Sequence, residues 1–360
     1  MKKILIINRA QFGLHTDSFK YAQYLKSKYQ VTYLGFDTGV SIIEETGVNV
    51  IYVSRDGNIF SRLYRFLFTA IKEVKEGGFD YVFVVYFPLC SILSLVGKSI
   101  GTKMLCDIRT LNVNRNRIFR VLSDFLLNFE VLFFSIVTAI STGVISKLYL
   151  SKLAKKKIYY LPLGADSLTD QNKGLKKLSL NLFYVGTLNG RNISDTIIGF
   201  HQYLNTVDDI FYQNSSYDIV GFGTKQEEAK ILKTISKCGL EGKVIFHGRL
   251  NHSECGVMLS KANLGVCYYP LSPFYENQPP TKLFEYILSG IPCISVDTTE
   301  TRKYISTNNG ILIKDNINDF SKGLKNMVEV MPYDSDVIRS TLSKFTWKSI
   351  VTNHLIPLLK

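Results

Sequence analysis

Cysteine is sparse and unpatterned in this chain of 360 residues. Cys90, Cys106, Cys238, Cys255, Cys267 and Cys293 form no C-x-x-C pair and have no histidine at zinc-site spacing. A disulfide framework is therefore not indicated, nor is a metal centre. Several of the six lie in apolar, strand-like runs, where a free thiol packs as a small hydrophobe. A reducing cytosol fits this usage. Low-complexity tracts and short repeats are also missing, so a repeat array is not expected. Long apolar runs are lacking too. The first one, Ile4-Leu5-Ile6-Ile7, stops after four residues, too short for a signal-peptide core, and reads as a buried parallel strand. The longest, 119–140, is interrupted by Arg120, Asp124, Asn128 and Glu130, which argues against a membrane-spanning helix.

Acidic residues are scarce in one half only. Residues 1–165 hold 22 Lys and Arg against 11 Asp and Glu, whereas residues 166–360 hold 21 against 19. Nearly all of the formal charge of +13 thus sits in the first half. Such asymmetry suggests an acidic partner for that half: nucleic acid, an anionic membrane surface or a pyrophosphate-linked substrate. No recognised nucleic-acid-binding motif accompanies the charge. Hydrophobic residues at 46% and charged residues at 20% describe a globular chain, long enough for two domains.

What is present is alternation. Strands are predicted at 3–8, 29–35, 48–53, 81–86, 103–107, 136–141 and 157–161. Helices are predicted at 17–28 and 59–76, with another between 107 and 136. After Pro162-Leu163-Gly164-Ala165-Asp166 and a polar run over 167–177, the pattern resumes. Strands follow at 180–185, 217–220, 244–246, 264–268, 293–296 and 310–313. Helices follow at 193–204, 224–238, 253–261, 281–288, 299–306 and 317–330. Short apolar runs alternating with amphipathic helices mean parallel sheets covered on both faces. The tail, 345–359, reads as an amphipathic helix holding the only tryptophan, Trp347.

One stretch organises the rest: Asn277-Gln278-Pro279-Pro280-Thr281-Lys282-Leu283-Phe284-Glu285-Tyr286-Ile287-Leu288-Ser289-Gly290-Ile291-Pro292. The prolines keep a helix from starting before Thr281, a cap or first-turn residue, and Gly290 suits the left-handed position that closes it. Leu283, Phe284, Ile287 and Leu288 form one buried stripe. Glu285 lies off that stripe and Lys282 lies one turn before it. A carboxylate and a cation therefore stand beside free N–H groups and the positive end of the helix dipole. That arrangement suits a nucleotide, with phosphate at the helix terminus and sugar hydroxyls on the carboxylate.

The run Pro280 to Tyr286, followed by Ser289-Gly290-Ile291-Pro292, resembles the donor-binding segment of bacterial family 4 glycosyltransferases. The resemblance implies an α/β GT-B fold of two Rossmann-like, doubly wound domains with a cleft between them. It implies an acceptor domain at 1–165, a nucleotide-sugar domain at 166–344, and a last helix at 345–360 returning to the first domain. By the same resemblance Glu285 holds the ribose. The acidic, sugar-facing position falls on Asn277, with Glu276 beside it, and stays open between the two.

Further candidates follow strand ends, where such folds bind ligands. Gly186, Thr187 and Arg191 follow the first strand of the second domain. Arg191 can fork two phosphate oxygens or be a solvated loop arginine. Family members carry a basic pair here, and Thr187 occupies the position of its missing member, for which Lys282 or Arg249 can substitute. Gly221 and Gly223 form a paired-glycine turn that lines the nucleotide pocket in the family. His247 and Arg249 end the next strand, and His247 reads either as a base-packing residue or as a structural histidine. In the first domain, Gly13 and His15 follow strand one. Asp107 and Arg109 end another strand, and fit acceptor binding or a mutual ion pair.

The basic, aromatic segments Arg115 to Phe134 and Phe60 to Phe66 either cover the sheet or lie in an anionic membrane interface. The resulting expectation is a retaining, metal-independent glycosyltransferase of surface polysaccharide biosynthesis. Its partners would be a nucleotide-sugar donor and a lipid-linked saccharide acceptor, with no cofactor and no nucleic acid. It would be cytoplasmic, with peripheral contact at the inner face of the membrane. Arg191, Lys282, Glu276 and Asn277 would serve catalysis, with Glu285, Thr281, Gly186, Thr187, Gly221, Gly223, Arg249 and Gly13 binding the donor. His15, Asp107 and Arg109 would face the acceptor. The alternatives are an inactive partner subunit and a nicotinamide oxidoreductase. Against the latter, the loop Arg9-Ala10-Gln11-Phe12-Gly13-Leu14-His15 holds one glycine where G-x-G-x-x-G is required.

Overall fold

The computed structural model describes residues 1–112, 116–170, 179–272, 275–330 and 332–360. Two compact units divide the chain: Met1–Gly164 together with Trp347–Lys360, and Ala165–Thr346.

The first unit is built on β1 (Lys3–Ile7), β2 (Gln30–Asp37), β3 (Val48–Ser54), β4 (Tyr81–Val85), β5 (Lys103–Ile108), β6 (Ile136–Ala139) and β7 (Ile158–Tyr160). Their order is β3-β2-β1-β4-β5-β6-β7, and every neighbouring pair is parallel. Ile4, Leu5, Ile6 and Ile7 are wholly buried, as strands covered on both faces must be. The order reverses between β1 and β4, so the loops leaving those two strands turn to opposite faces. The tail packs here through Trp347, whose ring meets Tyr21 at 5.9 Å. It is not one regular helix. A single α-turn, Trp347–Ile350, widens into a π-turn over Val351–Leu355 and then tightens over Ile356–Leu359. Pro357, which has no N–H to offer the helix, sits in that last turn.

The second unit holds β8 (Asn181–Thr187), β9 (Ser216–Phe222), β10 (Val244–Gly248), β11 (Leu264–Cys267), β12 (Cys293–Val296) and β13 (Gly310–Ile313). The order is β10-β9-β8-β11-β12-β13, again all parallel, with the reversal between β8 and β11. Those two strands pair only through Leu264 with Leu182 and Gly265 with Phe183. Beyond that point Tyr286 takes over. Its hydroxyl accepts the Val185 N–H at 3.1 Å and points at Val266 O, 3.5 Å away. Gly265 makes room for it, since a Cβ there would stand 2.3 Å from the Tyr286 ring. Tyr286 lies on the helix Thr281–Leu288, so this wedge fixes that helix against the sheet.

That helix begins where the prolines allow, with Thr281 as its first residue. Gly290 closes it at φ +77°. Leu283, Phe284, Tyr286, Ile287 and Leu288 are buried. The helix expected over 299–306 is only a short tight turn, Thr301–Lys303. Thr298 and Thr301 exchange backbone-to-hydroxyl bonds of 2.8 and 3.1 Å, which compete with helical pairing. Helices Ser91–Ser99, Asp209–Asn214 and Ser335–Leu342 lie outside the segments expected to be helical. The first is capped from another helix, because Ser91 N and Oγ both donate to the buried Glu130 carboxylate, at 3.1 and 2.8 Å. The helix read from Arg115 runs over Arg117–Glu130, and Arg115 itself lies outside the described residues.

Replacing Tyr286 by Phe leaves the half-buried Val185 N–H without its acceptor, a loss of about 1 kcal/mol. We expect a lower urea midpoint at unchanged slope, with faster exchange of the Val185 amide. An unaltered midpoint would remove Tyr286 as the wedge.

Candidate functional site

The densest group of sequence-predicted residues lies at the strand reversal of the second unit. On the first turn of Thr281–Leu288, Lys282 Nζ donates to Glu285 Oε2 at 2.7 Å, one helical turn apart. The Glu285 side chain retains 12% of its exposure and that of Lys282 38%, so the carboxylate is recessed beneath the ammonium. Cys255, from helix His252–Leu259, lies alongside. Burial raises its thiol pKa, and the Lys282 and Glu285 charges act on it in opposite directions.

Arg191 leaves the loop after β8, which turns through Gly190 at φ +64° and Asn192 at φ +53°. Its guanidinium lies 4.6 Å from the Tyr275 ring centroid and 5.7 Å from that of Tyr269, and the two rings are 4.8 Å apart. Two aromatic faces therefore orient one cation and leave its donors to point elsewhere. The Cys267 thiol, at the end of β11, relates Arg191 to the helix. Its pKa is lowered, first by a hydrogen bond with Cys293 and, against the opposing effect of burial, further by Ser295, by the Arg191 charge and by the Leu283 backbone. Nothing local in the sequence pairs Tyr269 and Tyr275 with Arg191. Their only signal was two tyrosines flanking the loop after β11.

The acidic and amide candidates sit on the short turn Tyr275–Asn277. Glu276 Oε1 accepts the Thr299 N–H at 2.9 Å and the Thr299 hydroxyl, which ties this turn to the loop after β12. Asn277 follows it, half-buried. In that loop the buried Glu300 pairs with Lys303, another feature missed from the sequence.

Gly186 and Gly221 are register partners at the ends of β8 and β9, and Thr187 faces Phe222. A Cβ on Gly221 would lie 2.0 Å from Gly186 O, so the close approach requires glycine. The Gly223 N–H donates to Glu228 at 3.1 Å, and Thr224 N to the Asn189 side chain at 2.9 Å. Arg249 is exposed and lies over the Phe222 ring at 5.0 Å. His247 pairs with Asp218 at 2.6 Å, the structural role among its two readings.

The remaining candidates belong to the first unit. Gly13 adopts φ +92° in the loop after β1. His15 caps helix Thr16–Leu25, accepting the Ser18 N–H on Nδ1 at 3.4 Å, and burial lowers its pKa. Threonine and aspartate, here Thr16 and Asp17, are the commoner cap residues. Asp17 instead pairs with Arg109. Arg109 donates to Leu161 O at 2.9 Å and lies 3.8 Å from Asp107, so the ion pair is the reading of these residues that is present. Asp107 is wholly buried. Its pKa is pushed up to about 6 by burial, against the opposing pull of Arg109 and of the Thr138 hydroxyl at 2.6 Å.

Two parallel, doubly wound sheets in sequence define the GT-B class of fold, and solved structures bear this out. The sucrose-phosphate synthase of Thermosynechococcus elongatus superposes with a TM-score of 0.73 at 16% identity, covering 98% of this chain and 97% of that one. The lipopolysaccharide outer core galactosyltransferase WaaB gives 0.71 at 15% identity, covering 99% and 100%. Alr3699/HepE of Anabaena, in complex with UDP, gives 0.71 at 12% identity, covering 97% of each chain. No curated protein matches the sequence. Residues 173–340 match the family model described as glycosyl transferases group 1. That match falls within the second unit and supports a glycosyltransferase.

The buried Asp107 makes a pH prediction. Its folded pKa of about 6 lies above the ordinary carboxylate value of 3.8, so the folded state holds the proton more tightly. Its contribution to stability is full below pH 4 and is lost as pH rises through about 6. The stability difference between the native protein and Asp107→Asn should therefore shift toward the native protein by on the order of 1 kcal/mol from pH 8 to pH 5. Urea unfolding at both pH values measures it, and a constant difference would contradict the shift.

Proposed function

We propose that this chain is a retaining glycosyltransferase of surface polysaccharide biosynthesis. It would move a hexose from a nucleotide-diphosphate donor to a hydroxyl of a lipid-linked saccharide. The observation that carries this reading is the Glu285–Lys282 pair on the opening turn of a helix within the span matching a glycosyltransferase model. The UDP held by the Anabaena structure supports a nucleoside diphosphate as donor. In this reading the ribose hydroxyls replace Lys282 as donors to Glu285. The released ammonium, Thr281 and the helix N-terminus then meet the diphosphate.

Arg191 comes to the same diphosphate already oriented by Tyr269 and Tyr275. Gly186, Thr187, Gly221, Gly223 and Arg249 are assigned to the nucleoside side. Glu276 is held by Thr299, and it shares with Asn277, on the same turn, the place assigned to the side chain facing the sugar. During transfer the bond from the anomeric carbon to the diphosphate oxygen breaks. The acceptor oxygen forms its bond on the same face, and its proton passes to a donor phosphate oxygen. Arg191 and Lys282 offset the charge that develops on the leaving diphosphate, so the reading requires no cofactor.

Peripheral membrane contact is supported by two helices of the basic unit. Ile59–Glu76 exposes Phe60 (79%), Tyr64 and Phe68 beside Arg62 and Arg65. Arg117–Glu130 exposes Ile118 (72%), Phe119, Val121, Leu122 and Phe125 beside Arg117 and Arg120. Both carry far more uncovered apolar surface than sheet-covering helices need, with arginines suited to anionic headgroups. Among the described residues, no helix is long and apolar enough to cross a membrane.

Glu285→Ala should weaken donor binding by about tenfold or more, as expected for losing hydrogen bonds to a carboxylate. Calorimetry and turnover across a panel of nucleotide sugars test this. Unchanged donor binding and turnover would remove Glu285 from the site, and binding without any transfer would favour the inactive-partner reading. Separately, Phe119→Asp with Leu122→Asp should abolish co-sedimentation with vesicles containing anionic phospholipid. Sedimentation equal to the native protein would contradict the membrane reading.

A further inference from the structure

The first unit has its own strand reversal, between β1 and β4, and a cavity of about 460 Å³ opens there. Its lining comes from the C-terminal ends of β2 and β4 and from the residues that follow β1, β2, β3 and β4, the position where parallel sheets take ligands. The lining contains two arginines, Arg9 and Arg55, and no acidic residue. Among the described residues neither arginine has an ion pair or hydrogen bond through its side chain. They repel one another instead: partial enclosure and the charge of Arg55 both lower the Arg9 pKa. The acids nearest in sequence make local hydrogen bonds and do not line the cavity. Asp56 accepts the Ser54 hydroxyl at 2.5 Å, and Asp37 accepts the Gly39 N–H at 2.9 Å.

The wall between the arginines is built rather than loose. Buried Gln11 donates to Val40 O at 2.7 Å and accepts Thr38 N and Oγ1 at 2.9 and 2.7 Å. Asn8, also buried, donates to Ser18 at 3.0 Å and accepts Ala10 N at 3.1 Å. With these amides satisfied internally, the arginines are the ionic groups left for a ligand. Phe36, Tyr86 and Phe87 supply an apolar side to the same cavity.

We propose that Arg9 and Arg55 form a subsite for a phosphate group carried by the acceptor, with the acceptor's less polar portion against Phe36, Tyr86 and Phe87. Two guanidinium forks brought together without a counter-ion match the several oxygens and double charge of a phosphate ester. This deepens the transferase reading, on which the word acceptor rests, by giving the acceptor's chemical class. The phosphate can belong to a lipid-borne saccharide or to a soluble sugar phosphate.

Calorimetric titration of the full chain with octyl phosphate and with glucose 1-phosphate distinguishes those sources, and neither probe contains a nucleoside. Each should bind the native protein, the tighter one indicating the source. Arg9→Ala and Arg55→Ala should each weaken binding about tenfold, as the loss of a charge-assisted bond does. Arg9→Lys and Arg55→Lys should retain part of it, and Lys28→Ala, exposed and outside the cavity, should retain all of it. Binding of a nucleoside diphosphate should be the same in native and both alanine variants. Phosphate binding that is absent from the native protein or unchanged in the double alanine variant overturns the subsite. Nucleoside diphosphate binding that falls in parallel gives the cavity to the donor and also overturns it. Failure of the transferase reading alone would appear as phosphate binding that depends on both arginines without any donor turnover.

Discussion

The hydroxyl of Tyr286, wedged between β8 and β11, is the contact on which the second unit's chemistry depends. Two parallel strands diverging at a reversal leave backbone groups unpaired, and a buried N–H without an acceptor is costly. Tyr286 meets that need at Val185, and Gly265 clears the space for its ring. Since Glu285 precedes Tyr286 on the same short helix, the bond that closes the sheet also fixes the height and rotation of the carboxylate. The packing contact and the proposed ribose contact are thus adjacent residues, one facing in and one facing out.

The two units treat charge in opposite ways at their strand ends. In the first, Arg109 is consumed by Asp17, Asp107 and Leu161 O, a buried network that joins β5 to helix Thr16–Leu25. Arg9 and Arg55, just beyond β1 and β3, have no such partners among the described residues. In the second, Lys282 and Arg191 are held, but by contacts a ligand can exchange or share: one ion pair and two aromatic faces. Cations locked among buried carboxylates serve the fold, whereas cations stacked on rings or set in an acid-free cavity remain open to an anion.

Much of the fold was legible because its signals are local. Proline before Thr281 and glycine after Ser289 bracket a helix whose ends match the reading, and the apolar runs at 293–296 and 310–313 coincide with β12 and β13. Readings failed where side chains compete with the backbone, as Thr298 and Thr301 do, or where a cap comes from afar, as Glu130 does for Ser91. The site was legible as residue types rather than as pairings. Glu285 and Lys282 are three residues apart, so helical geometry joins them. The rings that hold Arg191 come from the distant loop after β11, and nothing local announces them. Asp107 and Arg109 make contacts with each other, which their spacing allowed, and with Asp17, which comes from a distant helix. Arg9 escaped notice because its significance lies in Arg55, brought beside it only by β1, β2 and β3.

The most direct test is a crystal structure of the full chain with a nucleoside diphosphate bound. The account predicts ribose hydroxyls on the Glu285 carboxylate, Lys282 turned from Glu285 to the phosphates, and Arg191 still between Tyr269 and Tyr275 and reaching the same phosphates. A nucleotide bound away from the Thr281–Leu288 helix, with the Glu285–Lys282 pair intact, would contradict it.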